Sequence, residues 1–412
     1  GDQAEASGQG ATAIGSLSKS TAEHSLAVGD QAQAAAVNSS AYGILSKALS
    51  SHSVAIGNAA SVGKGDPDSV SSQNGIAIGN GANVTVNPAT ATPGITDKSG
   101  GIAIGHDATT KDINTIALGT GTVGQGAQAV AIGRNARTIA NNGVAIGNEA
   151  RTQSTNGFAL GNNARAGFDE NNVLVGRDND QAFGSNARAW GGSSMAFGNN
   201  AKAANGGAIA MGNGSQSRGD WGVAIGNGAK ALAAGARALG ANSNASGVNA
   251  AAIGWDSEAS GASSIAVGET VKSTGTNSVA IGTGAKAANE NAIALGAGSE
   301  TAAAVATPSA TINGTAHNFA GVNPASTVSV GKAGSERTIT NVAAGRISAA
   351  STDAINGSQL YAVTSEVDKG VAYAGDVKDA ASAANKFTRK LGEQTNIIGG
   401  VTDTSKLTDG NI

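Results

Sequence analysis

Asn277-Ser278-Val279-Ala280-Ile281-Gly282 is one copy of a phrase that returns, with small changes, every fourteen residues between Gly15 and Gly296. The marking glycines are 15, 29, 43 and 57, then 79 and 105, then 119, 133, 147 and 161, then an irregular 176 and 184, then 198 to 296 in steps of fourteen; fifteen of the nineteen intervals are fourteen residues. A unit this short cannot bury its own faces and must stack on its neighbours. In the quoted copy Val279 and Ile281 alternate with Ser278 and Ala280, the period of a strand. Gly282 breaks the alternation, and a second short stretch follows at 285–287. Two strands of about four or five residues and two tight bends use up fourteen positions, too few for a three-sided coil. The expectation is an all-β solenoid, a flattened two-sided parallel roll whose twenty rungs, at about 4.8 Å each, make a rod of about 95 Å.

A sharp corner at one place in every rung asks for backbone angles that glycine adopts cheaply and asparagine next best. Asn58, Asn80, Asn148, Asn162, Asn199, Asn213 and Asn227 accordingly follow corner glycines. All five prolines, at 67, 88, 93, 308 and 324, fall outside the regular rungs, as they must if a missing N–H would break a ladder. The repeated Val and Ile read as core, with Phe158, Phe183 and Phe197 replacing them in three rungs. Because both strand faces look apolar or small, the second face is expected to pack on an identical chain, in an obligate oligomer.

The 412 residues are 40% apolar but only 3% aromatic, which argues against a thick globular core, and the net charge is −3. Lysines and arginines look singly scattered at turns, with no basic stripe, so nucleic acid is not an expected partner. The chain has no cysteine, and hence no disulfide and no thiolate metal site. Without a signal peptide or a long apolar span, and starting within repeat-like text, it reads as a fragment of a larger exported protein.

No catalytic constellation emerges: His24, His52, His106 and His317 lack a partnered nucleophile or carboxylate pair. The expectation is no enzyme, no cofactor and no metal. His24 and His52 do share a repeat position, five before a corner glycine, and read as solvated turns or as part of a contact surface. Gly119-Thr120-Gly121-Thr122-Val123-Gly124 matches a dinucleotide fingerprint as a string, but no helix follows to hold a phosphate. The long intervals 57–79 and 79–105 imply insertions at 63–73 and 85–100 that leave neighbouring rungs and form one protruding patch, with Lys64, Asp66, Asp68, Val84, Val86, Asp97 and Lys98 as candidate ligand contacts. A second candidate surface gathers aromatics in turn-like positions, Phe168, Trp190, Trp221 and Trp255. Arg218-Gly219-Asp220 is the integrin-type tripeptide, yet it lies in an ordinary rung with nothing inserted to lift it clear.

After Gly296 the period fails, and residues 301–330 read as a bridging insertion. Beyond it come Val330-Gly331-Lys332-Ala333-Gly334-Ser335-Glu336-Arg337-Thr338-Ile339-Thr340-Asn341-Val342-Ala343-Ala344-Gly345 and Asp353-Ala354-Ile355-Asn356-Gly357-Ser358-Gln359-Leu360. With the repeated "SVAIG" phrase before it, this wording resembles the heads and necks of the trimeric autotransporter adhesins of Gram-negative bacteria, of YadA-like type. The resemblance implies a left-handed parallel β-roll head at 1–300, a bridging insertion and neck at 301–358, a trimeric coiled-coil stalk at 359–391 and the start of a further stalk module at 392–412. It also implies a neck that locks the trimer, for which Arg337, Asn341, Arg346, Asp353, Asn356, Gln359 and Leu360 are the candidate residues. Independently, Leu360, Val363, Val367, Gly370, Ala374, Val377, Ala381, Ala384, Thr388 and Leu391 fit a 3.5-residue spacing.

The function implied is attachment at the bacterial surface, to a host protein such as collagen, fibronectin, laminin or an epithelial receptor, and between bacterial cells. The partners are two identical chains and a host protein, with membrane attachment left to a C-terminal domain outside this sequence. Family heads associated with collagen often carry a serine three residues past the glycine, where this chain has Ala60 and Ala285. The alternatives are a spacer without its own ligand and a left-handed β-helix acyltransferase; the latter's six-residue repeat does not divide fourteen.

Overall fold

The computed structural model describes residues 1–63, 73–85, 100–175, 177–374 and 386–395. They fall into two compact units, Gly1–Ala304 with Ala325–Glu336, and Val305–Pro324 with Arg337–Ile412.

The first unit is the roll. Each rung carries a three-residue strand such as Val279–Ile281, a bend at the corner glycine, a two-residue strand such as Lys286–Ala287, and a far bend. The strands are shorter than the expected four or five residues because the two bends take most of the rung. Every strand pairs in parallel with its counterpart one rung away, as Val279↔Ile293 and Lys272↔Lys286 do. The result is two parallel sheets, one of long strands and one of short. Gly161 stacks on Gly184, and Phe158 pairs with Gln181, so one rung spans the irregular stretch; Gly176 lies outside the described residues.

The corner glycines behave as expected. Gly226 sits at φ 136°, and a Cβ there would stand 2.4 Å from the carbonyl oxygen of Gly240 in the next rung. Asparagine does not share that corner: Asn148, Asn162 and Asn199 keep ordinary φ. The left-handed residues are the ones two past the glycine, such as Asn163 and Asn200, and those at the far bend, such as Asn277 and Asn291. These second positions take φ near 55°, where asparagine is the best-tolerated non-glycine residue.

The core assignment is corrected. The interior is mostly alanine, serine and threonine, with valine at 62, 84 and 271: Ser278, Ala280, Ala285 and Ala287 are buried, while Val279 is half-buried and Ile281 is 40% exposed. The middle residue of the long strand is alanine in every rung from Ala13 to Ala294. A rung with so few strand residues brings its two walls close together, so the inward side chains are small, with Thr and, at Val62, Val84 and Val271, Val as the largest, while the Ile, Leu and Phe of the long strand point outward. Size is matched across the interior: a Cβ on Gly124 would lie 2.2 Å from Thr115 Cγ2. Phe158, Phe183 and Phe197 are likewise on the outside, with ring centroids 6.5 Å and 5.9 Å apart in sequence order.

The stack does not end at Gly296. Val328–Ser329 pairs in parallel with Ile293 and Ala294, and Glu300 donates its N–H to Gly331. The bridging stretch is thus a loop out of the last rung.

In the second unit, Ser309–Ile312 and Thr315–Asn318 form an antiparallel hairpin. A helix, α1, spans Gly357–Asp368. It ends before Gly370, at φ 64°, and Val371–Ala374 then pairs antiparallel with Lys386–Arg389. A helical stalk through 391 is therefore not what the single chain adopts. Of the 3.5-spaced positions, Gly370, Ala374, Thr388 and Leu391 are outside α1, and Val377, Ala381 and Ala384 are outside the described residues. A seam of glycine, alanine and threonine offers too little apolar area to hold a lone helix.

Candidate functional site

A rung has two outward faces, and they differ in chemistry. The last residue of the long strand is apolar in all nineteen rungs, from Ile14 through Tyr42, Ile132, Phe197, Ile225 and Ile281 to Leu295. The first residue of that strand is mostly apolar too, with Thr12, Ser40, Gln181 and Arg237 as exceptions. Parallel, in-register pairing lines these side chains into continuous columns on the outside of the roll. The short strand's outward column is polar in every rung but that of Val123.

That polar column overturns the expectation of no basic stripe. Arg137, Arg151, Arg165, Arg188 and Lys202 are stacked in direct register over five successive rungs. Lys202 and Arg218 share Glu170, at 3.4 and 3.5 Å. Arg188 Nη1 donates to the carbonyls of Asp169 and Glu170, each at 2.8 Å. Glu170 belongs to the residues inserted after Gly167, which fold back through Phe168 and Leu174. Arg165, 7% exposed, has Nε and Nη2 on Asn163 Oδ1, while its Nη1 and the Nε of Arg151 have no partner among the described residues. Burial, then Arg151 and Arg188, push the Arg165 pKa below that of a free guanidinium, against a weaker pull from Glu149.

The sequence-based candidates scatter. Both long insertions leave neighbouring rungs at the same far bend, after Ser61–Val62 and Asn83–Val84. Val84 is buried inside the roll, while Lys64, Asp66, Asp68, Val86, Asp97 and Lys98 lie outside the described residues. The aromatics do not share a surface. Phe168 is 6% exposed and Trp190 is half-buried. Trp255 follows corner Gly254, whereas Trp221 occupies the far bend at φ 58°. Trp221 is 74% exposed and lies over Gly207, where a Cβ would come within 2.5 Å of the indole. The tripeptide is held flat: the Arg218 carbonyl accepts from Asn205, Asp220 Oδ1 accepts from the Gly206 N–H at 3.1 Å, and Arg218 reaches Glu170. His24 and His52 share the far-bend slot at φ 50° and 57°, with Asn38 in the rung between them, 3.2 Å from His52 Nε2.

The neck residues do cluster. Arg346 Nε and Nη2 grip Asp353 at 2.7 and 3.0 Å, and this bond holds the Asp353 pKa below the usual carboxylate range. Asn356 caps α1, accepting from the Gln359 N–H, while Gln359 Oε1 accepts from the N–H groups of Asn356 and Gly345. Gln359 Nε2 donates to the Gly345 carbonyl at 2.6 Å and Asn356 Nδ2 to that of Val342 at 3.1 Å. These amides fasten the incoming segment to the helix start. Asn341 sits at φ 61° just before it, and Leu360 is exposed on α1. Arg337 opens the exposed segment before it.

A roll of short parallel rungs followed by a capped helix is the class of a solenoid head joined to a neck and stalk. Comparison with known proteins agrees. The family described as "YadA head domain repeat (2 copies)" matches ten stretches between residues 1 and 299, and "Coiled stalk of trimeric autotransporter adhesin" matches residues 338–386. The autotransporter adhesin BtaE of Brucella suis is 62% identical over 68 residues, 16% of this chain and 9% of BtaE. Among solved structures, the C-terminal YadA-like domain of BPSL2063 from Burkholderia pseudomallei is 56% identical, over 24% of this chain and 45% of that one, with a TM-score of 0.23. The collagen-binding domain of Yersinia adhesin YadA is 22% identical over 62% of this chain and 86% of that one, with a TM-score of 0.17. The protein belongs to the trimeric autotransporter adhesins, with YadA-type head repeats followed by neck and stalk sequence.

Proposed function

We propose that three copies of this chain pack through the apolar outward columns of their long strands, and that the assembled head, displayed from the bacterial outer membrane, attaches to host matrix or receptor proteins and to sister cells. The observation that carries the reading is the unbroken apolar column from Ile14 to Leu295. Water-facing, a stripe of this length is an aggregation hazard; covered by an identical stripe, it is an interface. Burying one such Ile or Leu contributes about 1.5–3 kcal/mol. With the column covered, the short-strand face and the far bends remain for ligands. Three equivalent faces per head turn weak contacts into firm attachment by avidity. The test is binding of the purified chain to immobilised collagen, fibronectin, laminin and epithelial cells, with its mass in solution measured alongside. Saturable binding by a species of three chains is the expected result. A monomer, or a trimer that binds none of these surfaces, refutes the reading.

A further inference from the structure

We infer that the lower part of the basic column, Arg137, Arg151 and Arg165, is a binding site for a sulfated polysaccharide. The inference deepens the adhesive reading by naming a ligand class, and rests on it only for exposure at the cell surface.

Like charges set directly opposite on adjacent strands destabilise a sheet, yet here three arginines follow one another at a rung spacing of about 4.8 Å. Elsewhere in the same column like charges meet directly only once more among the described residues, at Lys272↔Lys286. There Lys272 has Glu258 on its other side at 3.1 Å, and Gln216 separates Lys202 from Lys230. In the upper part of the basic run, Arg188 and Lys202 are occupied by the carbonyls and carboxylate around Glu170. That internal occupant shows that this column accepts anionic and carbonyl oxygens. Of the lower arginines, Arg137 is exposed and Arg151 half-buried, while Arg165 is buried behind them, and the buried Arg165 Nη1 and Arg151 Nε are unpartnered among the described residues.

Beside Arg137 and Arg151 lies a shallow cavity of about 290 Å³, whose wall also includes Asn135, Glu149, Gly121 and Val123. Glu149 is the opposing charge there, and it faces Arg134 at 3.9 Å. Arg137 and Arg151 share the cavity wall with this carboxylate, and Arg134 reaches it from beside. Guanidinium recognises sulfate through paired N–H donors, while Asn135 and Glu149 suit sugar hydroxyls. A sulfated sugar uses both kinds of group. Single-stranded nucleic acid, the other linear polyanion, calls for aromatic stacking platforms, and no aromatic side chain lines this cavity.

The experiment flows the whole chain over immobilised heparin, fully desulfated heparin and duplex DNA, with the matrix proteins assayed in parallel. Arg137→Gln combined with Arg151→Gln should weaken heparin binding about tenfold or more. The Lys versions of both should lie between, and Lys230→Gln with Lys272→Gln, further along the same column, should change little. Heparin binding should fall with added salt, and desulfated heparin should not bind. Circular dichroism checks each fold, and should the double variant lose its strand signal, the exposed Arg137→Gln alone carries the comparison. The inference is overturned if the folded chain ignores heparin, if proximal and distal variants lose equally, or if DNA binds as tightly as heparin. A chain that binds a matrix protein but not heparin sinks this inference alone; one that binds heparin but no matrix protein or cell sinks only the protein-receptor reading.

Discussion

The two outward faces of the roll are built by the same fourteen-residue unit and share its register, yet one is apolar in every rung and the other is polar in all but one. The long strand alternates Ala inward with Val or Ile outward, and the short strand alternates Lys, Arg, Asn or Gln outward with Ala or Thr inward. Strand periodicity sets the alternation, and the narrow interior sets its sense. With room for little more than Ala, Ser, Thr and an occasional Val between the sheets, the larger apolar side chains have to find cover outside the chain. The second face, relieved of that duty, is free to vary, and only there do charges accumulate.

Enlarging the interior should break the comparison altogether. Ala224→Leu places a branched side chain between two walls that now meet across methyl groups, at a cost of about 3 kcal/mol or more, read as a drop in melting temperature and loss of strand dichroism. Next in size, Ile225→Asp with Ile253→Asp, one outward column two rungs apart, should separate the copies while the roll keeps its strand signal. Light scattering would show mass falling toward one chain, and unchanged mass would count against the assigned face.

A smaller effect is expected off the roll. Asp353 has its pKa lowered by Arg346, so in the folded neck it binds its proton later than in the unfolded chain. Its contribution is present above the unfolded value of about 3.9 and is lost as pH falls through the lower folded value. Thermal melts of the helical signal from about pH 5 to about pH 3 should decline with acid, and Asp353→Asn should flatten that decline. Smallest of all, Lys230→Gln on the polar face should shift stability by no more than about 0.5 kcal/mol and leave the mass unchanged.

The stacking was legible because glycine is the residue that fits where a Cβ would meet the next rung's carbonyl oxygen, as at Gly29, Gly133 and Gly226. Which side faces inward was not. An Ala/Val alternation offers two apolar faces, and the larger residues look like core until the volume inside one rung is known. The basic column was legible only in part: Arg137, Arg151 and Arg165 recur at steps of fourteen, whereas Arg165 and Arg188 are neighbours in the sheet but twenty-three residues apart, across an insertion that breaks the period. The 3.5-residue spacing after Leu360 runs past the end of α1 in the single chain, where Gly370 stands at φ 64°. Asn356 and Gln359 were readable as important from their wording, but their cap and their bonds to Val342 and Gly345 needed coordinates.

Because the chain has no cysteine, the central claim, that the long-strand column is covered by sister chains and the short-strand column is open, can be tested with one reagent. Single variants Ile225→Cys and Lys230→Cys, five residues apart on opposite faces of adjoining strands, would be labelled with a water-soluble maleimide in the native protein. The account predicts labelling at 230 at a rate close to that of the unfolded chain, and strong protection at 225 that vanishes on unfolding. Equal, rapid labelling at both positions would contradict it.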